Sequence, residues 1–131
     1  MTFKWIAVAT VLAFAMPGAA HAQHKHGHGH SHAETGKNGG QMAEAGDYHV
    51  ELVAKGGAVE VYVSDHDDKP VAIAGYKGLA ILSAGGKTQR IALEAGDGGK
   101  LTGKATADLP AQPKGVVQIT PPGGKTVSAK F

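Results

Sequence analysis

Cysteine is absent from the 131 residues. Its absence excludes disulfide staples, thiolate metal centres and cysteine nucleophiles. Aromatic side chains are scarce, with one Trp, three Tyr and three Phe. Phe3, Trp5 and Phe14 lie near the N-terminus, so Tyr48, Tyr62, Tyr76 and Phe131 are the ones left for a folded body. A core must therefore be built from Val, Ile, Leu and Ala. Neither sign of charge dominates: thirteen Lys and Arg face eleven Asp and Glu. They are interspersed, so no basic stripe points to nucleic acid. No apolar run is long enough to cross a bilayer. The N-terminal one covers the twelve residues 5–16, where a spanning helix needs about 20.

That short run has the layout of a secretory leader. Lys4 supplies a positive n-region, Pro17-Gly18 break the apolar stretch, and Ala20-His21-Ala22 fits the A-x-A cleavage rule. Residues 1–22 are expected to be a signal peptide, with processing after Ala22 or, as an alternative, after Ala20. A retained membrane anchor is the competing reading. Export places the mature chain in the periplasm.

Next comes a segment with almost nothing apolar, residues 23–40, QHKHGHGHSHAETGKNGG. It cannot offset the entropy of being ordered and is expected to be a disordered tail. It holds His24, His26, His28, His30 and His32. Neutral imidazole is a good ligand for Zn, Ni, Co and Cu, and glycine spacers let several rings reach one ion. The tract is a compositional signal for binding a divalent transition metal. Its alternative is a solvated linker.

From residue 41 to 131 apolar residues recur at every second position between Gly and Pro turns, which predicts a β-domain. Strands are expected over 48–55, 58–65, 79–84, 88–93, 100–107, 116–121 and 125–131. In the first hairpin, the Gly56-Gly57 turn pairs Val50 with Val63, Leu52 with Val61 and Ala54 with Val59 on the core face. The other face then carries Glu51 with Tyr62, Val53 with Glu60 and His49 with Ser64; Val53 and Tyr62 there can mark a docking surface. In the second hairpin, a three-residue loop Gly85-Gly86-Lys87 keeps one face apolar by pairing Ile81 with Ile91 and Leu79 with Leu93. In the third, the loop Pro122-Gly123-Gly124 pairs Ile119 with Val127 and Val117 with Ala129. About seven antiparallel strands with such faces predict a two-sheet, immunoglobulin-like sandwich.

A second candidate site lies on that domain. The first hairpin projects His49 and His66 from one outer face, with Asp47 opposite His66 and Asp68 in the adjoining loop. Two imidazoles with carboxylates form a workable site for a first-row metal. The same stretch, Asp65-His66-Asp67-Asp68-Lys69-Pro70, also reads as a polar turn in which Asp caps backbone amides. A calcium loop is excluded by the missing acidic pattern, glycine and distal Glu. No serine stands in a nucleophile-elbow context, and no paired carboxylates are evident. The chain is therefore not expected to be an enzyme.

The stretches Gly46-Asp47-Tyr48-His49-Val50-Glu51 and Ser64-Asp65-His66-Asp67-Asp68-Lys69-Pro70, with Gly-Gly-Lys-Thr at 85–88 and 123–126, carry a resemblance. Over roughly residues 39–131 the chain resembles a small periplasmic β-domain of heavy-metal efflux systems, found alone or fused to pump adaptor subunits. The resemblance implies a metal-binding accessory protein of metal resistance or homeostasis, with a pump adaptor as partner. It departs at Asp68, where that turn implies glycine. The contrasting expectation is a sandwich-type interaction module of the cell envelope with no metal role.

Overall fold

The computed structural model describes residues 34–131. The leader expected in residues 1–22 and the five tail histidines lie outside the described residues. The rest forms eight strands: β1 (Gln41–Ala45), β2 (Tyr48–Lys55), β3 (Ala58–Ser64), β4 (Lys77–Ala84), β5 (Lys87–Ala95), β6 (Lys100–Lys104), β7 (Lys114–Thr120) and β8 (Val127–Lys130). All belong to one antiparallel sheet in the order β1-β2-β3-β6-β5-β4-β7-β8.

This corrects the expected sandwich. The sheet curls until its first and last strands lie side by side and it nearly closes into a barrel. At one end of the seam, Gln41 Nε2 donates to the Pro113 carbonyl at 3.0 Å. At the other, a Cβ added to Gly46 would meet Val127 Cγ1 at 2.9 Å. The two halves that a sandwich would keep apart are joined where β6, already paired along β3, meets β5 through Glu94↔Thr102 and Ala95↔Leu101. Gly103 permits the join, because a Cβ there would stand 2.5 Å from the Ala92 carbonyl oxygen.

One core fills the interior. Val50, Leu52, Val59, Val61, Leu82, Leu101, Val117 and Ile119 are fully buried, interleaved with the small Ala45, Ala80 and Ala129. Tyr48, Tyr76 and Phe131 pack against its edge rather than inside it. An eight-stranded barrel has an interior just wide enough for side chains to fill, so an aliphatic composition suits it.

The first and third hairpins have the expected registers. The second does not. Its turn is the two residues Gly85-Gly86, at φ 57° and 78°, and it pairs Ile81 with Arg90 and Leu79 with Ala92. Consecutive positive φ values give the turn whose twist matches the flanking strands. Ala80 and Leu82 therefore face the core, while Leu79 and Ile81 are half-buried on the outside. Periodicity could not choose the face, because β4 is apolar on both.

Candidate functional site

The outer face of β1, β2 and β3 collects the features that could carry function. Ahead of β1, residues 34–40 fold back as an arm. Gly36 N–H donates to the Gly40 carbonyl, and Met42 N–H to the Glu34 carbonyl, each at 2.9 Å. The arm is anchored by Glu51, which projects from β2 away from the core yet is only 5% exposed. Its Oε1 accepts from Asn38 N–H at 2.8 Å and from Gly40 N–H at 2.9 Å. Its Oε2 accepts from Asn38 Nδ2 at 2.9 Å. A buried carboxylate is tolerable only when it is well hydrogen-bonded, and three donors meet that need. Gly36 has no room for a side chain, since an added Cβ would overlap the Glu51 carboxyl group. Val53, expected on an exposed docking face, is 5% exposed; Gly40 lies against its Cγ2.

Between the arm and the loop after β3 lies a cleft of about 520 Å³. Met42, Tyr62, Val63 and Pro70 give it apolar walls, and Glu51 and Asp68 also line it. Lys37 Nζ reaches across to the Asp68 carbonyl at 3.4 Å. The far end of the face is polar. Lys100 Nζ donates to Glu60 Oε1 and Tyr62 Oη to Glu60 Oε2, at 2.8 and 3.0 Å. The bond from Lys100, then that from Tyr62, holds the Glu60 carboxyl below its ordinary value. Burial and the same Glu60 contact push the Tyr62 phenol up.

The loop 65–69 is a self-capped turn. Asp65 Oδ1 accepts from the Lys69 and Asp67 amides, both at 2.9 Å, and the Lys69 amide leads in lowering its carboxyl. Asp68 has φ 58°, the one non-glycine residue with positive φ among those described. That is the position at which the resemblance implied glycine, and the chain adopts the left-handed conformation with Asp instead. Its carboxylate has a use there, because Asp68 Oδ1 lies 2.8 Å from His49 Nδ1.

His49, His66, Asp47 and Asp68 do come together. The two imidazoles stand edge to face, with centroids 6.0 Å apart. They divide into pairs, His49 with Asp68 at 2.8 Å and His66 Nε2 with Asp47 Oδ1 at 3.6 Å. His49 Nε2 turns toward Glu44 Oε1 at 4.0 Å. Ring nitrogens thus face carboxylates, and the donors do not converge on a common centre. Among the described residues no group of three or more His, Cys, Asp or Glu could hold a metal ion. The metal-binding and heavy-metal-resistance reading of the β-domain is corrected accordingly. Also among the described residues, no helix is long and apolar enough to cross a membrane.

The arm and its Glu51 anchor escaped the sequence reading. Two signals were present: Asn38-Gly39-Gly40 is a turn tripeptide, and a lone carboxylate interrupts the apolar run Val50–Val53. Comparison of the chain with protein-family models, with curated proteins and with solved structures yields no match.

Proposed function

We propose that the chain is a small interaction module of the cell envelope, acting through the outer face of β1–β3 rather than through a metal centre of the barrel. The observation that carries this reading is the cleft of about 520 Å³ between the arm and the 65–69 loop. Its size is that of ordinary ligand sites, about 300–1,000 Å³, which combine apolar walls with a few placed polar groups. Met42, Tyr62 and Pro70 offer apolar contact, and Asp68, whose side chain is 58% exposed, brings a negative charge to the rim. The fitting occupant is an apolar or aromatic side chain carried on a partner polypeptide, flanked by a basic residue. Placement in the envelope rests on the leader read in residues 1–22.

The test is site-specific photo-crosslinking in the producing cell. A photoreactive residue at Met42 should give an adduct of defined mass. The same residue at Lys87, in the β4–β5 hairpin, should not. The adduct should survive a chelator. Adducts from both positions, from neither, or only without chelator would overturn the reading.

A further inference from the structure

We infer that Asn38 is a deamidation site latched by Glu51, and that its conversion releases the arm irreversibly. Asn38 is the one asparagine of the chain, and Gly39 follows it. That dipeptide is chemically labile. The backbone nitrogen of the following residue can attack the side-chain carbonyl carbon, and glycine has no side chain to hinder the approach. A bond forms between Gly39 N and Asn38 Cγ, the Cγ–Nδ2 bond breaks, and the Gly39 amide proton leaves with Nδ2 as ammonia. The product is a cyclic imide, a succinimide. Water then opens the ring at either carbonyl and leaves aspartate or isoaspartate at position 38. No electrons change hands and water is the sole co-reactant, which reaches Asn38 and Gly39 because both are exposed.

The closed arm opposes the first step twice. The attacking nitrogen must give up its proton, yet Gly39 N–H donates to the Gly36 carbonyl at 3.0 Å. The side chain must swing toward Gly39, yet Asn38 N–H and Asn38 Nδ2 both donate to the Glu51 carboxylate, at 2.8 and 2.9 Å. Sharing one carboxylate turns the carboxamide toward the residue's own amide and away from the Gly39 nitrogen. Glu51 is held in turn, being 5% exposed and bonded also to Gly40 N–H at 2.9 Å. Cyclisation therefore proceeds from the open arm, at a rate set by the open population. Neither product restores the latch. Aspartate replaces the Nδ2 donor with an acceptor and sets a second negative charge against Glu51, where like charges repel. Isoaspartate routes the main chain through the side-chain carbon, which lengthens it by a methylene and moves Gly40 N–H off Glu51 Oε1. The arm then stays open, and the cleft loses the wall lined by Thr35, Lys37 and Asn38.

The experiment ages the full chain in mildly alkaline buffer and follows conversion at position 38 by fragmentation mass spectrometry. The folded wild type should convert slowest, and the same chain unfolded in urea fastest. Glu51→Ala should fall between them, about 30-fold faster than wild type, which is the gain in open arm expected when the buried Gly40 N–H and its companions lose their acceptor. Amide exchange at Gly40 should quicken as the converted fraction grows. Asn38→Asp makes one product directly, and its Gly40 amide should exchange at least about fivefold faster than in wild type, the effect of one lost hydrogen bond. Unchanged methyl signals of Leu52 and Leu101 would show that each variant is folded. Three results would overturn the inference. They are equal conversion of the folded and the urea-unfolded wild type (no protection by the fold), equal conversion of wild type and Glu51→Ala (no latch at Glu51), and Gly40 exchange left unaltered by both ageing and Asn38→Asp (an arm that stays shut).

Discussion

Glu51→Ala is the sharpest probe of the outer face. The wild-type carboxylate accepts from Asn38 N–H, Asn38 Nδ2 and Gly40 N–H. The three donors are not equivalent. Asn38 is exposed, so its two groups regain water when the carboxylate is lost, and each sacrifices no more than about 1 kcal/mol. Gly40 is buried, and a buried N–H left without a partner costs about 1–3 kcal/mol. The arm can limit that cost by peeling away, which returns Gly40 to water but exposes Val53. Opening of the arm should therefore become easier by about 2 kcal/mol, or about 30-fold in population.

Trypsin cleavage after Lys37 reads this opening directly, since a protease cuts the transiently released segment in proportion to its population. Glu51→Ala should raise the rate of that cut by about 30-fold while cuts within the barrel, at Lys55 or Lys104, change far less. Glu51→Gln keeps one acceptor oxygen where the carboxylate had two. It should fall between wild type and Ala. If Lys37 is cut at the same rate in all three proteins, Glu51 does not anchor the arm and the account of its burial is wrong.

Two further predictions concern charge and backbone. The Glu60 carboxyl titrates below its ordinary value because Lys100 and then Tyr62 donate to it. Its contribution to stability is therefore complete above the unfolded value of about 4.3 and is lost as pH falls through the lower folded value. Urea titrations between pH 6 and pH 3 should show this loss in wild type and a flatter profile in Lys100→Met; parallel profiles would refute it. At Asp68, with φ 58°, Ala carries the left-handed penalty of about 1–2 kcal/mol and Gly does not. Both lose the His49 contact, so thermal denaturation should rank Asp68→Gly above Asp68→Ala. The reverse order would show that the turn does not impose that conformation.

How much of this was legible in the residues depended on whether one face of a strand was plainly apolar. In β2 and β3, Val50, Leu52 and Ala54 against Val59, Val61 and Val63 leave no second register that keeps the core side apolar, and the observed pairing follows. The same holds for Val117 and Ile119 against β8. In β4 the run Leu79-Ala80-Ile81-Leu82 is apolar on both faces, so the turn decided the register: the Gly85-Gly86 pair outweighed the larger side chains. The sheet order was not readable at all. β6 serves β3 and β5 together, and whether seven or eight such strands stack or curl depends on close approaches such as that of Gly103 to Ala92. Local periodicity does not carry that information.

The candidate site shows the same division. Spacing on the first hairpin was sufficient to bring Asp47, His49 and His66 to one place, because a known register fixes which side chains are neighbours. Proximity alone does not make a chelate, and the loop settled the difference. Asp68, held at positive φ, aims its carboxylate at His49 Nδ1 from 2.8 Å, while His66 faces Asp47. Each acid is thus directed at an imidazole instead of standing with it around an ion. The arm adds the missing half of the face. Without residues 34–40, Glu51 and Val53 would be an exposed carboxylate and a valine on an open strand. With them, the same two residues become the anchor and floor of a covered surface, and the cleft beside it exists because the arm supplies one of its walls.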